Sequence, residues 1–236
     1  MPSLFLMQMN KILKIGHRGA KGFKPENTLI AFQKAIDLGC NGIELDVHLS
    51  LDNEIMVIHD ETIDRTTNGK GFVNQINLSE LKTFKIDNKH EIPTLEEVFE
   101  LVNHNVFINI ELKSYETVEK VIELIEKYVQ EKNWNYNDFI ISSFDWNALQ
   151  QLRFLNDNVQ IGVLTATDLD LAFAFAKFIK AKTTNPYFHL LNEENVAKMH
   201  EKGFEIHTWT VNEIEDIQKM KALKVDAIIS DFPDRI

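Results

Sequence analysis

Along residues 42–48 apolar and polar side chains alternate: Ile43, Leu45 and Val47 are aliphatic, and Glu44, Asp46 and His48 stand between them. Successive side chains of a strand point to opposite faces, so the two acids share one face and the aliphatic residues share the other. The pattern returns at 106–113, where Asn109, Glu111 and Lys113 alternate with Ile108, Ile110 and Leu112. Strand-like runs lie near 12–16, 42–47, 106–111, 138–142, 159–163, 179–184, 204–208 and 225–229. Helix-like segments lie at about 26–39, 94–104, 116–131, 145–155, 168–177, 192–202 and 212–222, several opening on a capping residue such as Asp145, Asp168 or Asn192. Alternation of strand and helix predicts parallel strands joined by helical crossovers. Eight strands, with no glycine-rich nucleotide loop after the first, favour a closed (β/α)8 TIM barrel over an open doubly wound sheet.

In such a barrel the chemistry sits at the C-terminal ends of the strands. His17, Glu44, Asp46, Glu111, Lys113, Ser143, Trp209 and Asp231 all fall at or just past such ends. Two carboxylates inside a sheet covered on both faces lose hydration and repel each other, so a cation must compensate. That cation is either a metal ion or a buried Arg or Lys. Carboxylate oxygens without nearby thiolates suit a hard ion such as Mg²⁺ or Ca²⁺. Ser50-Leu51-Asp52-Asn53 is turn chemistry, followed by the extended run Ile55–Ile58 that ends at His59. A hairpin about this turn brings His59 roughly opposite Glu44. Glu111 is a candidate third ligand, and Lys113 on the same face offers a positive charge to a phosphate oxygen.

Composition narrows the picture. The 236 residues suit one barrel domain spanning 1–236, with no linker or repeat to divide it. Residues 60–92 follow neither period and contain Arg65-Thr66-Thr67-Asn68-Gly69, so they are expected to form a small insertion over the mouth, after the second strand. The chain has little room for a helix after Asp231-Phe232-Pro233, and the extra N-terminal residues are expected to cover the gap. A net charge of −11 disfavours nucleic acid as a partner. The single cysteine, Cys40, excludes an intrachain disulfide and a thiolate zinc site and reads as a small buried filler. No signal peptide and no membrane span are legible, so a cytoplasmic monomer or homodimer is expected.

Ten short motifs then stand in order: Gly16-His17-Arg18-Gly19, Pro25-Glu26-Asn27-Thr28, Glu44-Leu45-Asp46-Val47, Val57-Ile58-His59-Asp60, Asp64-Arg65-Thr66-Thr67-Asn68-Gly69, Ile92-Pro93-Thr94-Leu95, Ile110-Glu111-Leu112-Lys113, Ser142-Ser143-Phe144, His207-Thr208-Trp209-Thr210-Val211-Asn212 and Asp231-Phe232-Pro233. Each is weak alone, but in this order and spacing the chain resembles the glycerophosphodiester phosphodiesterase family, among the phospholipase-C-like phosphodiesterase barrels. The resemblance implies hydrolysis of glycerophosphodiesters to sn-glycerol 3-phosphate and an alcohol with one divalent cation, Mg²⁺ or Ca²⁺ ahead of Mn²⁺. It implies Glu44, Asp46 and Glu111 as metal ligands, His17 and His59 as the acid–base pair, and Arg18 and Lys113 on the phosphate. Asn27, Phe144 and Trp209 match positions near the substrate. By analogy with related barrels, the substrate's own 2-hydroxyl is favoured over water as the attacking group. The rival readings are a phospholipid-directed, lysophospholipase D-like activity on the same barrel and a non-catalytic phosphodiester-binding protein.

Other residues read as structural. His48 reads as packing beside the acids, His207 as a lining of the barrel, and His90, His104, His189 and His200 as loop or solvent residues. The run Leu171-Ala172-Phe173-Ala174-Phe175-Ala176 reads as a buried helix face.

Overall fold

The computed structural model describes residues 12–236. Its strands are β1 (Leu13–Gly16), β2 (Gly42–Leu49), β3 (Ile55–Val57), β4 (Phe107–Leu112), β5 (Phe139–Ser143), β6 (Gln160–Thr165), β7 (Thr183–Pro186), β8 (Glu205–Thr208) and β9 (Ala227–Ser230). The helices are α1 (Leu29–Asp37), α2 (Leu78–Leu81), α3 (Leu95–Val102), α4 (Thr117–Glu131), α5 (Trp146–Leu155), α6 (Leu169–Phe178), α7 (Glu193–Glu201) and α8 (Ile214–Leu223). All strands except β3 are parallel, and β1 pairs with both β2 and β9, which closes the predicted eight-stranded (β/α)8 barrel. Helical crossovers cover the barrel and leave both faces of each strand buried.

The alternation in β2 decides what lies inside. Leu45 and Val47 join Phe32, Val98, Phe99 and Ile110 in the core between barrel and helices. Glu44 and Asp46 therefore face the barrel interior, where the parallel register sets them beside Asn109 and Glu111 of β4. Other strands also send polar groups inward: Ser142, Thr183, Asn185 and His207 are all buried. His207 lines the barrel, with Nε2 3.6 Å from a Glu205 oxygen. The entry to α1 is fixed by Thr28, whose hydroxyl accepts from the Ala31 amide, and the entry to α3 by a reciprocal capping box between Thr94 and Glu97.

The expected hairpin is present. β3 runs antiparallel to β2 with Val47 opposite Val57, and the Ile58 amide continues the ladder by donating to the Asp46 carbonyl at 3.0 Å. Beyond it, residues 60–92 are more ordered than their lack of period suggests. They contain α2 and pack Ile63, Val73, Ile76, Leu81, Ile86 and Ile92 into a small core with Met56 and Ile58.

Two expectations are corrected. The sixth barrel strand, β7, begins at Thr183, later than the run near 179–184, because Ile179 ends α6 and Lys180 turns the chain with φ of 53°. Its sequence Thr-Thr-Asn-Pro lacks the aliphatic character of a strand because its inward side chains are polar. In α6 the run is not one buried face: Ala172 and Ala176 are buried and Phe173 and Phe175 pack half-buried against the core, whereas Leu171 is 58% exposed. A helix lying close to a barrel admits small residues along the contact. The N-terminal residues expected to cover the last gap lie outside the described residues, and β9 is followed by a short 3₁₀ turn, Pro233–Arg235. Cys40 is the buried filler expected, with burial pushing its thiol up to about 11. Among the described residues, no helix is long and apolar enough to cross a membrane.

Candidate active site

The loop after β1 supplies the first part of the site. Arg18 and Gly19 both take positive φ, 49° and 81°, so the chain turns sharply at the barrel mouth. The turn aims the Arg18 amide at Glu44, which accepts it at Oε2 at 2.8 Å. It also sends the Arg18 guanidinium back over the acids: Nη1 donates to Glu26 Oε1 at 2.7 Å, and Nε lies 3.3 Å from Asp46 Oδ2. Asn27, another residue with positive φ at 54°, donates from Nδ2 to Asp46 Oδ2 at 2.8 Å. Asn27 thus buttresses an acid of the cluster.

Glu44 and Asp46 on β2 and Glu111 on β4 each bring a carboxylate oxygen within 4.8 Å of the others. Glu44 and Asp46 are 3% and 1% exposed. Burial first, and then the neighbouring charges of Asp46 and Glu111, push the Glu44 carboxyl well above the usual range. Glu111 is raised by burial and by Asp46 against the pull of Lys113. Burial also opposes the charge of Asp46, but Lys113, Arg18, His59 and the Asn27 amide outweigh it and hold that carboxyl low. Lys113 Nζ donates to Glu111 Oε1 at 2.7 Å and lies 3.4 Å from Asp46 Oδ1. Lys113 and Arg18 therefore compensate part of the negative charge but leave Glu44 repelled by its neighbours. Three crowded carboxylates, two buried and Glu111 partly so, without a sulfur donor fit a hard divalent cation, which would relieve that repulsion.

Two histidines flank the acids, each held by a carboxylate at Nδ1. His17 Nδ1 lies 2.5 Å from Asp231 Oδ1, just beyond β9, and Asp231 is itself fixed by the Asn212 amide at 3.0 Å. His59 Nδ1 lies 2.6 Å from Asp60 Oδ1. The His59 backbone carbonyl is 3.1 Å from His48 Nε2, so His48 holds the hairpin end that carries His59. Burial lowers the His59 pKa; Asp46 and Asp60 pull it back up, but Lys113 and Arg18 reinforce the lowering, and the net shift is downward. An imidazole whose Nδ1–H is donated to a carboxylate presents Nε2 as the atom that accepts or gives a proton.

The opposite wall is aromatic. Phe144, just past β5 and 48% exposed, meets Trp209 edge to face at 5.4 Å. Trp209, just past β8, donates its indole N–H to the Asn185 carbonyl at 2.7 Å and packs on Tyr187. Ser143 turns away from the mouth and donates its hydroxyl to the Leu112 carbonyl at 2.7 Å. The structure therefore places His17, Arg18, Glu44, Asp46, His59, Glu111 and Lys113 around one acidic centre and leaves Phe144 and Trp209 as a wall.

Asp60, Asp231, Glu26 and Arg65 complete the arrangement and carry no assigned role from sequence. All four stand inside the ten motifs, and Asp231 also sits at a strand end. Those two signals mark them, but only the fold shows which groups they touch.

Comparison with known proteins gives a consistent result. The profile of the Glycerophosphoryl diester phosphodiesterase family matches residues 17–235. The chain is 38% identical over 239 residues to a glycerophosphodiester phosphodiesterase of Caldanaerobacter subterraneus subsp. tengcongensis, covering 96% of each sequence. It is 39% identical over 245 residues to one of Bacillus altitudinis, again covering 96% of each. Among solved structures, an Oleispira antarctica phosphodiesterase in complex with the product sn-glycerol-3-phosphate superposes with a TM-score of 0.86 at 25% identity, over 95% of this chain and 94% of that one. A Thermotoga maritima glycerophosphodiester phosphodiesterase gives 0.82 at 31% identity, over 95% of this chain and 96% of that one.

Proposed function

The chain belongs to the glycerophosphodiester phosphodiesterase family, and from that premise we propose that it cleaves glycerophosphodiesters to sn-glycerol 3-phosphate and an alcohol by acid–base catalysis between His17 and His59 at a single divalent-cation site. The observation that carries this reading is the convergence of two carboxylate-held imidazoles on three crowded acids at the C-terminal mouth of the barrel.

Glu44, Asp46 and Glu111 would hold the cation, with Mg²⁺ or Ca²⁺ favoured over Mn²⁺ by the all-oxygen donor set. When bound, it supplies positive charge where negative charge develops on the non-bridging phosphate oxygens. Arg18 and Lys113 would serve the same end: both are cations fixed by acids at the mouth, and a phosphate there would take their remaining donors. One histidine takes the proton from the attacking 2-hydroxyl through Nε2, and the other delivers a proton to the departing alkoxide; water then opens the resulting cyclic phosphate to glycerol 3-phosphate with the two proton-transfer roles exchanged. Asp231 and Asp60 stabilise each imidazole when it carries the proton and hold its ring plane. Phe144 and Trp209 offer an apolar wall for the carbon skeleton of the substrate.

The test is release of glycerol 3-phosphate from a panel of glycerophosphodiesters, with a lysophospholipid included, before and after chelation. Release from the small diesters that stops on chelation and returns with Mg²⁺ or Ca²⁺ is the expected result. Release from the lysophospholipid alone would transfer the reading to a phospholipid-directed enzyme, and no release from any member would overturn it.

A further inference from the structure

Arg65 lies in the segment between β3 and α3, 48% exposed and without direct contact to the three acids of the centre. Its guanidinium nevertheless makes four hydrogen bonds to two carboxylates. Nε donates to Asp60 Oδ2 at 2.6 Å and Nη2 to Asp60 Oδ1 at 3.0 Å. Nη2 also donates to Glu26 Oε1 at 2.7 Å, and Nη1 donates to Glu26 Oε2 at 3.1 Å. Each acid is held at both of its oxygens, a geometry that a planar fork of donors provides and a point charge does not.

What lies behind the two acids gives the contact its meaning. Asp60 Oδ1 is the atom that holds His59 Nδ1, and Glu26 Oε1 is the atom that accepts from Arg18 Nη1. A chain of alternating charge thus runs from Asp46 through Arg18, Glu26, Arg65 and Asp60 to His59. The platform under Arg65 is rigid: Ile63 is fully buried, and the Asp64 carboxylate accepts from the Gly71 amide at 2.8 Å.

We propose that Arg65 is a positioning residue, which sets the imidazole of His59 and the guanidinium of Arg18 at once and so holds the proton-transfer group and the phosphate-binding group in one fixed geometry. This rests on the function proposed above. Without Arg65, Asp60 keeps only its contact to His59, and Glu26 keeps Arg18 and the more distant Lys21 ammonium, so both carboxylates lose the fork that fixes their planes and the groups they orient are held less firmly. Displacement of reacting groups by a fraction of an ångström is felt in the chemical step more than in binding.

The experiment compares wild type with Arg65→Met, which keeps a long apolar stem, and with Arg65→Lys. In Arg65→Met, kcat is expected to fall roughly 10–100-fold with KM changed less than about threefold, the signature of lost orientation. Arg65→Lys is expected to recover less than about a tenth of the loss, since a single ammonium cannot hold four oxygens. The second readout needs no turnover: the proton NMR resonance of the His59 Nδ1–H, sheltered by Asp60 in wild type, is expected to vanish into solvent exchange in Arg65→Met. If kcat and the resonance both survive the substitution, Arg65 does not position the site. If wild type is inactive but the resonance is lost in Arg65→Met, the positioning stands and the proposed activity falls instead.

Discussion

At the scale of single residues, the site is organised by what holds its reacting groups. His17 and His59 each have a carboxylate at Nδ1, so removal of either ring takes away a held proton-transfer group. His17→Ala and His59→Ala are each expected to lower kcat by roughly 10²–10⁴ while the circular dichroism spectrum is unchanged. Asp231→Asn keeps the shape but loses the carboxylate that accepts from His17 Nδ1, and a fall of about 10–100-fold in kcat is expected from steady-state kinetics. An unchanged kcat in that variant would remove Asp231 from the mechanism. Burial and the nearby cations disfavour the protonated form of His59, so an NMR titration should place its pKa below the ordinary histidine value of about 6.5. Glu44, Asp46, Glu111, His17 and His59 were legible in sequence because each falls at a strand end in an alternating pattern. Asp231 was not legible as the partner of His17, because 214 residues separate the two and only barrel closure brings them together.

At the scale of elements, β2 and the loop after β1 position most of the site. Gly19 is the point where that loop passes closest to α1: a Cβ there would lie 2.6 Å from the Ala31 carbonyl carbon, at a φ of 81° that side chains rarely adopt. Gly19→Ala is therefore expected to destabilise the fold by about 1–3 kcal/mol. It should also lower activity, because the same loop aims the Arg18 amide at Glu44; urea unfolding followed by an activity assay on the folded fraction checks both effects. The β2–β3 hairpin was readable from the Ser50–Asn53 turn and the apolar run after it, and its register follows from keeping Glu44 and Asp46 inside. The strand β7 was the element least readable from sequence. Its inward Thr183 and Asn185 serve a polar barrel interior, and polar residues followed by proline otherwise signal a turn. Residues 60–92 lacked a readable period because they form a small core with β3 rather than a face of the main barrel.

At the scale of the molecule, charge is the dominant feature. The chain carries −11 overall, and three carboxylates are gathered at the barrel mouth. A cation that binds the folded site and not the unfolded chain must stabilise the fold, so Tm is expected to rise with millimolar Mg²⁺, Ca²⁺ or Mn²⁺ and to fall back with chelator, read by calorimetry. Acid acts in the opposite direction through the charge chain at the mouth. Glu26 is held at about 2 and Asp60 well below its usual range, both chiefly by Arg65 against the cost of burial. Depressed carboxyl values contribute stability that is complete above the unfolded values, near 4 to 4.5, and is lost as pH falls toward the folded ones. Urea midpoints measured downward from about pH 5 should decline, and Arg65→Met should flatten that decline. The barrel was legible at this scale because strand and helix alternate along the whole chain. The joint position of Arg18, Glu26, Asp60 and Arg65 was not, because it depends on two loops meeting across the mouth.

The most direct test of the account is a titration of the chelated protein with divalent cation, followed by both turnover and bound ion, in wild type and Asp46→Asn. Wild type should regain glycerophosphodiester hydrolysis in step with one tightly bound ion per chain, and Asp46→Asn should bind that ion weakly and remain inactive. Full turnover in the presence of chelator, or full recovery of Asp46→Asn, would contradict it.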